Sequence, residues 1–208
     1  TTTVATGDRA IFALEATGIE GAVTANESAN ATERFQEFLE GGASLETVQT
    51  NPGPNRAGKA IDVGSSISRV IVDESSDTYH LVVSLDEATA TVDTDDDGVA
   101  DAGEPTASLD DGDRFETTFE IPETDGGLAV DAENLSVTWR YVEASASVET
   151  TRVDREDVAL VAPDTDQIIT GETSVAPGTE LRVRIRDDAD GVAFLEENTV
   201  TVSDSRTW

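Results

Sequence analysis

Apolar and polar positions alternate along most of this chain. Val70–Val72, Tyr79–Leu85, Phe115–Ile121, Leu135–Tyr141 and Leu181–Arg186 read at the period of a strand with one buried face. The last is the most regular, with Leu181, Val183 and Ile185 on one face and Arg182, Arg184 and Arg186 on the other. Asp-Gly pairs at Asp97-Gly98, Asp111-Gly112, Asp125-Gly126 and Asp190-Gly191 stand between such stretches and mark turns. Short strands at this spacing predict a mainly β protein, an antiparallel Ig-like β-sandwich.

One segment departs from that period. Between Glu27 and Glu40 the residues Ala29, Ala31, Phe35, Phe38 and Leu39 share a helical stripe, which stops at Gly41-Gly42. This predicts one inserted helix over about 27–40, followed by a second short turn near Leu45–Val48. Asn51-Pro52-Gly53-Pro54-Asn55 then forces a loop. Gly7-Asp8-Arg9, Gly112-Asp113-Arg114 and Gly178-Thr179-Glu180 each place a glycine and a polar residue before a strand, as Ig-like modules do. A pattern simply common to β proteins explains this equally well. The polar stretch Glu149–Arg155 separates a first module, 1–152, from a second, 153–208.

Charge changes the picture. The chain carries 44 acidic against 13 basic residues, a formal net charge of −31, and Lys59 is its only lysine. A nucleic-acid or anionic-membrane partner is excluded on that balance. Concentrated salt would screen the self-repulsion, since the Debye length falls to about 3 Å at 1 M. Hydrophobic residues are only 37% of the chain, which raises disorder, but their regular patterning predicts a folded, salt-dependent halophile protein. Cysteine is absent, so disulfides, thiol catalysis and thiolate metal sites are excluded. No apolar run is long enough to span a bilayer.

The strongest chemical motif is the run from Asp93 to Glu104. Carboxylates occupy positions 1, 3, 5, 9 and 12 (Asp93, Asp95, Asp97, Asp101 and Glu104), with Gly98 at position 6 and the Val99 carbonyl at position 7. A hard cation such as Ca2+ takes six to eight oxygens, and a glycine permits the sharp turn. The flanking sequence looks extended and Pro105 follows directly, so this is a calcium loop on a β scaffold, with a structural role. The clusters Asp110–Asp113 and Asp187–Asp190 lack the spacing and read as hydrated turns.

Sequons at Asn26-Glu27-Ser28, Asn30-Ala31-Thr32 and Asn134-Leu135-Ser136 are candidate N-glycosylation sites. Asn26 and Asn30 have a competing role as caps of the helix. Support for catalysis is thin. His80, the sole histidine, lies in an alternating strand, and no nucleophile elbow, phosphate loop or zinc motif is present. Lys59 offers an intramolecular isopeptide bond to Asn or Asp, or an incidental surface position.

Val158–Pro163, Ile168-Ile169-Thr170-Gly171-Glu172-Thr173, Ala176–Arg184 and Thr199–Val202 resemble the BGTF surface domain family of haloarchaeal S-layer-type glycoproteins. The resemblance covers 157–208 and implies a secreted, Ig-like, N-glycosylated module. The family runs on through at least one further strand, so the second module reads as incomplete. Either the chain is part of a longer polypeptide, or a neighbouring copy supplies the missing strand. The beginning Thr1–Thr6 fits an extracellular chain whose signal peptide has been removed.

The expected function is therefore structural. The chain reads as a non-enzymatic subunit of an S-layer or surface filament, self-associating through β-edges and braced by calcium. The alternatives are an adhesin or glycan-binding module using an exposed aromatic patch near Trp139 and Tyr141, and a secreted carboxylate-based hydrolase. Aromatic residues are only 5% of the chain, which disfavours sugar stacking.

Overall fold

Each alternating stretch becomes a strand, and several shorter or less regular stretches join them. The computed structural model describes residues 2–25, 30–95, 97–101, 103–122, 133–153, 156–158, 168–186 and 195–208. The chain divides into two compact units, Thr1–Val142 and Glu143–Trp208. The first contains β1 (Thr2–Ala5), β2 (Arg9–Glu15), α1 (Glu20–Thr24), α2 (Ala31–Glu40), β3 (Ser44–Gln49) and β4 (Lys59–Asp62). It continues with β5 (Ile67–Asp73), β6 (Thr78–Ser84), β7 (Thr89–Val92), β8 (Arg114–Ile121) and β9 (Glu133–Val142).

A six-stranded sheet runs β1-β9-β8-β3-β4-β7, and a three-stranded sheet runs β2-β6-β5. Pairing is antiparallel except where β1 lies parallel to β9, with Thr2 opposite Trp139 and Ala5 opposite Val142. Side chains of both sheets and of α2 share one core. Phe115 stacks on Trp139 at 4.9 Å between ring centroids, and Phe12 meets the same indole edge-on at 6.4 Å. Phe35, fully buried on α2, lies between Tyr79 and Phe119 at 5.8 and 6.5 Å. Burying a side chain of this size contributes roughly 2–3 kcal/mol.

Two expectations are corrected. The segment Leu45–Val48 is not a helical turn but part of β3, an interior strand paired with β8 and β4. Its inward residue is Thr47, fully buried, whose hydroxyl bonds that of Thr117 at 2.9 Å. Thr117 in turn accepts the Trp139 indole N–H at 2.9 Å. A satisfied polar row thus crosses three central strands, hiding the strand from a search for apolar alternation. Among the described residues there are also two helices rather than one, since α1 precedes α2. Replacing Thr117 with valine keeps the shape but orphans two buried groups. The expected loss is about 2–4 kcal/mol, measurable as a lower denaturant midpoint at fixed high salt.

Helix α2 starts where Asn30 caps it, accepting the Glu33 N–H at 2.9 Å. It ends at Gly41-Gly42, with Gly42 at φ +125°. Along its length it covers the edge of β5. The Thr32 hydroxyl accepts the Val70 N–H at 2.9 Å, and Gln36 Nε2 donates to the Ile67 carbonyl at 3.4 Å. The edge of β7 is covered as well, by Pro105–Ala107: Val92 N–H donates to Pro105 and Ala107 N–H to Ala90, each at 2.8 Å.

The three glycine-led strand openings are alike in conformation. Gly7, Gly112 and Gly178 have φ of +82°, +91° and +85°, and each stands two residues before a strand. The residue after each glycine donates to the carbonyl three positions back, as in a type II turn.

The second unit contains β10 (Ala146–Val148), β11 (Thr151–Val153), β12 (Glu156–Val158), β13 (Gly171–Thr173), β14 (Glu180–Arg186) and β15 (Leu195–Thr201). They pair antiparallel as β10-β13, β11-β12 and β14-β15. Beyond β15, Trp208 exchanges two backbone hydrogen bonds with Gly171, both 3.0 Å, so β13 has a neighbour on each side. The turns at Asp125-Gly126 and Asp190-Gly191, and Ala159–Pro163, lie outside the described residues. No described helix is long and apolar enough to cross a membrane.

Candidate metal centre

The loop 93–104 joins β7 to its covering segment, so its two ends are fixed by hydrogen bonds to one strand. Asp93 is buried, and its N–H donates to the Gly58 carbonyl at 3.0 Å. Its carboxylate accepts the N–H groups of Asp97 and Gly98 at 3.2 and 3.1 Å. The Asp97 carboxylate in turn accepts the Val99 N–H at 2.9 Å. Gly98 takes φ +81°, and a Cβ there would lie 3.0 Å from Val48 Cγ1. The glycine at position 6 therefore serves both the turn and the approach to β3.

The arrangement gathers three of the predicted ligands. Carboxylate oxygens of Asp93, Asp95 and Asp97 lie within 4.8 Å of one another. Among the described residues these three make no ion pair with lysine or arginine. Burial, and then the charges of Asp97 and Glu104, push the Asp95 carboxyl above its ordinary value. Like charge held this closely favours a proton or a cation, and three carboxylate oxygens suit a hard cation.

Asp101 and Glu104 stand outside that trio. Glu104 accepts the Thr94 N–H at 2.5 Å, the Thr94 hydroxyl at 2.8 Å and the Thr91 hydroxyl at 2.9 Å. The bonds from Thr94 hold its pKa below the usual carboxylate value, with a smaller contribution from Thr91. Val99 is exposed. Thr91 and Thr94, which position Glu104, were not anticipated; threonine at loop position 2 is the signal that could have pointed to them.

Of the sequons, Asn26 lies outside the described residues. Asn30 is exposed, and capping uses its amide oxygen. Asn134 is exposed on β9, opposite Glu120. His80 is half-buried in β6. Trp139 and Tyr141 are buried at 2% and 8% exposure, so the aromatic patch expected of an adhesin is not on the surface.

Lys59 is neither incidental nor distant from carboxylates. Its ammonium donates to the Ser108 carbonyl at 2.7 Å, Asp110 Oδ2 at 2.6 Å and Asp113 Oδ2 at 2.7 Å. Asp113 also accepts from Gln49 Nε2 at 2.8 Å and from the Asp110 N–H at 2.9 Å. Three convergent oxygens match the three donors of an ammonium, which a planar guanidinium would not.

Comparison with known proteins places this geometry in context. The chain is 35% identical over 210 aligned positions to a cell surface glycoprotein of Haloferax gibbonsii, with all of the chain matched. It is 27% identical to cell surface glycoprotein 1 and 25% identical to cell surface glycoprotein 2 of Haloarcula hispanica, with 99% matched in each case. It spans only 22% to 23% of the length of these curated relatives. No family model and no solved structure matches. Along its whole length, and not only over 157–208, this chain is homologous to segments of haloarchaeal cell surface glycoproteins.

Proposed function

We propose that this chain is a structural, non-enzymatic segment of a haloarchaeal cell-surface glycoprotein. It works as a calcium-braced Ig-like building block that self-associates through β-edges in an S-layer or surface filament. The similarity along the full chain to cell surface glycoproteins carries this reading. The shared core between two sheets and the parallel β1–β9 pair support the Ig-like assignment. Calcium would be held by Asp93, Asp95 and Asp97, with Asp101, Glu104 and the Val99 carbonyl completing the set. Neutralising the carboxylates would fix the loop that joins β7 to its covering segment. Asn30 and Asn134 would carry glycans on exposed positions, and Asn26 is the third candidate by its sequon.

Calcium is expected to stabilise the first unit by about 2–3 kcal/mol at a hundredfold excess over Kd. Asp93→Ala should remove the difference between melts with calcium and with chelator. An unchanged difference would place any calcium effect elsewhere. Electron microscopy of native material in high salt tests the assembly itself. Ordered sheets or filaments that fray on chelation are expected; single particles under both conditions would overturn the structural reading.

A further inference from the structure

The edges of the first unit are unequally protected. Helix α2 covers β5 and Pro105–Ala107 covers β7. β1 pairs with β9 only over Trp139–Val142, and among the described residues the outer edge of β2 pairs with nothing. An unpaired edge presents alternate N–H and C=O groups ready to take another strand. Apolar surface flanks that edge. On the outer side of β2, Ile11 is 65% exposed, and on the inner side opens a cleft of about 310 Å³ lined by Phe12, Leu14, Phe119, Leu135 and Val137. In a chain of net charge −31, the only charged residue lining that cleft is Glu15. Two copies can approach here with little carboxylate repulsion.

The sequence of β2 is complementary to itself. Arg9-Ala10-Ile11-Phe12-Ala13-Leu14-Glu15, set antiparallel to a second copy about Phe12, places Arg9 opposite Glu15 at both ends. Ile11 then faces Ala13 on the outer side, and Ala10 faces Leu14 on the inner side. Arg9, Ile11, Ala13 and Glu15 are all exposed on one face of the strand. Within one copy Arg9 and Glu15 are six residues apart, about 20 Å along a strand, so they cannot pair with each other. Opposite charges directly across a strand pair are stabilising and like charges destabilising.

We infer that β2 is the seam between two copies of this chain, which pair antiparallel about Phe12 and join their three-stranded sheets into one of six strands. This rests on the self-association reading above and names the edge that reading left open. Sedimentation of the full chain in the salt that keeps it folded tests it, with tryptophan emission as the check on folding. The wild type should dimerise. Arg9→Glu and Glu15→Arg, each alone, should weaken the dimer ~10-fold, and Ile11→Lys should do likewise. Mixing the Arg9→Glu and Glu15→Arg proteins should restore dimers, because each then meets its complement. If the wild type associates and all variants associate equally, β2 is not the seam, though self-association stands. A wild type that stays monomeric at every concentration overturns both.

Discussion

Replacing Lys59 with methionine is expected to cost the first unit about 3 kcal/mol, read as a lower unfolding midpoint at constant salt. The side chains of Lys59 and Asp113 are only 15% and 10% exposed, so the loss leaves a nearly buried carboxylate unpaired. Lys59→Met with Asp113→Asn should recover part of the loss, because the amide is neutral yet still accepts from Gln49. Equal destabilisation by the single and double changes would mean the charge pair matters little. The same cluster sets a pH window. Burial alone would lower the Lys59 pKa, but the hydrogen bonds it donates to Asp110 and Asp113, with their charges, outweigh it and raise the pKa above the ordinary 10.5. Its stabilisation is therefore complete below pH 10.5 and fades as pH rises through the higher folded value. For Asp110, the hydrogen bond and then the charge of Lys59 lower the pKa below the ordinary 3.8. That contribution is present above pH 3.8 and lost as pH falls through the lower folded value.

Gly171→Ala should have the largest effect in the second unit. A Cβ at that position would lie 1.8 Å from the Ser147 carbonyl oxygen and 2.7 Å from two atoms of the Trp208 ring. The Ser147 carbonyl is backbone and cannot move aside without disturbing the β10-β13 pair. The cost should exceed about 4 kcal/mol. In hydrogen exchange, peptides from Glu143–Trp208 should lose protection while those from Thr1–Val142 keep theirs. Unchanged protection across β10 and β13 would refute the close packing.

What could be read from the sequence follows from how local each determinant is. The strand β14 was legible because Leu181, Val183 and Ile185 alternate with arginines, a pattern needing no knowledge of distant residues. The strand β3 was not, because its inward residue is polar and becomes acceptable only when Thr117, 70 positions away, meets it. Five residues of α1, one of them Gly21, are too few for a period to register. The parallel partner of β1 lies at the other end of the unit, and nothing in Thr2–Ala5 specifies it.

The candidate metal centre divides the same way. Alternate aspartates around Gly98 were recognisable from spacing, and the turn brings three of those carboxylates together. Which hydroxyls hold Glu104 depends on how β7 is placed. The role of Lys59 was illegible because its acceptors come from 49, 51 and 54 residues along the chain. Trp139 and Tyr141 suggested a surface patch by type, whereas their parity on β9 assigns them to the core.

The enclosure of Lys59 also decides how this protein meets reagents. It carries the only side-chain amine, and that nitrogen is protonated and bound to three oxygens. Amine-directed reagents need a free lone pair, so the folded chain offers them no side-chain amine to attack. A modified Lys59 would thus be a record that β4 had come away from its neighbours. The rate of its modification measures how often a wall of this armoured surface opens.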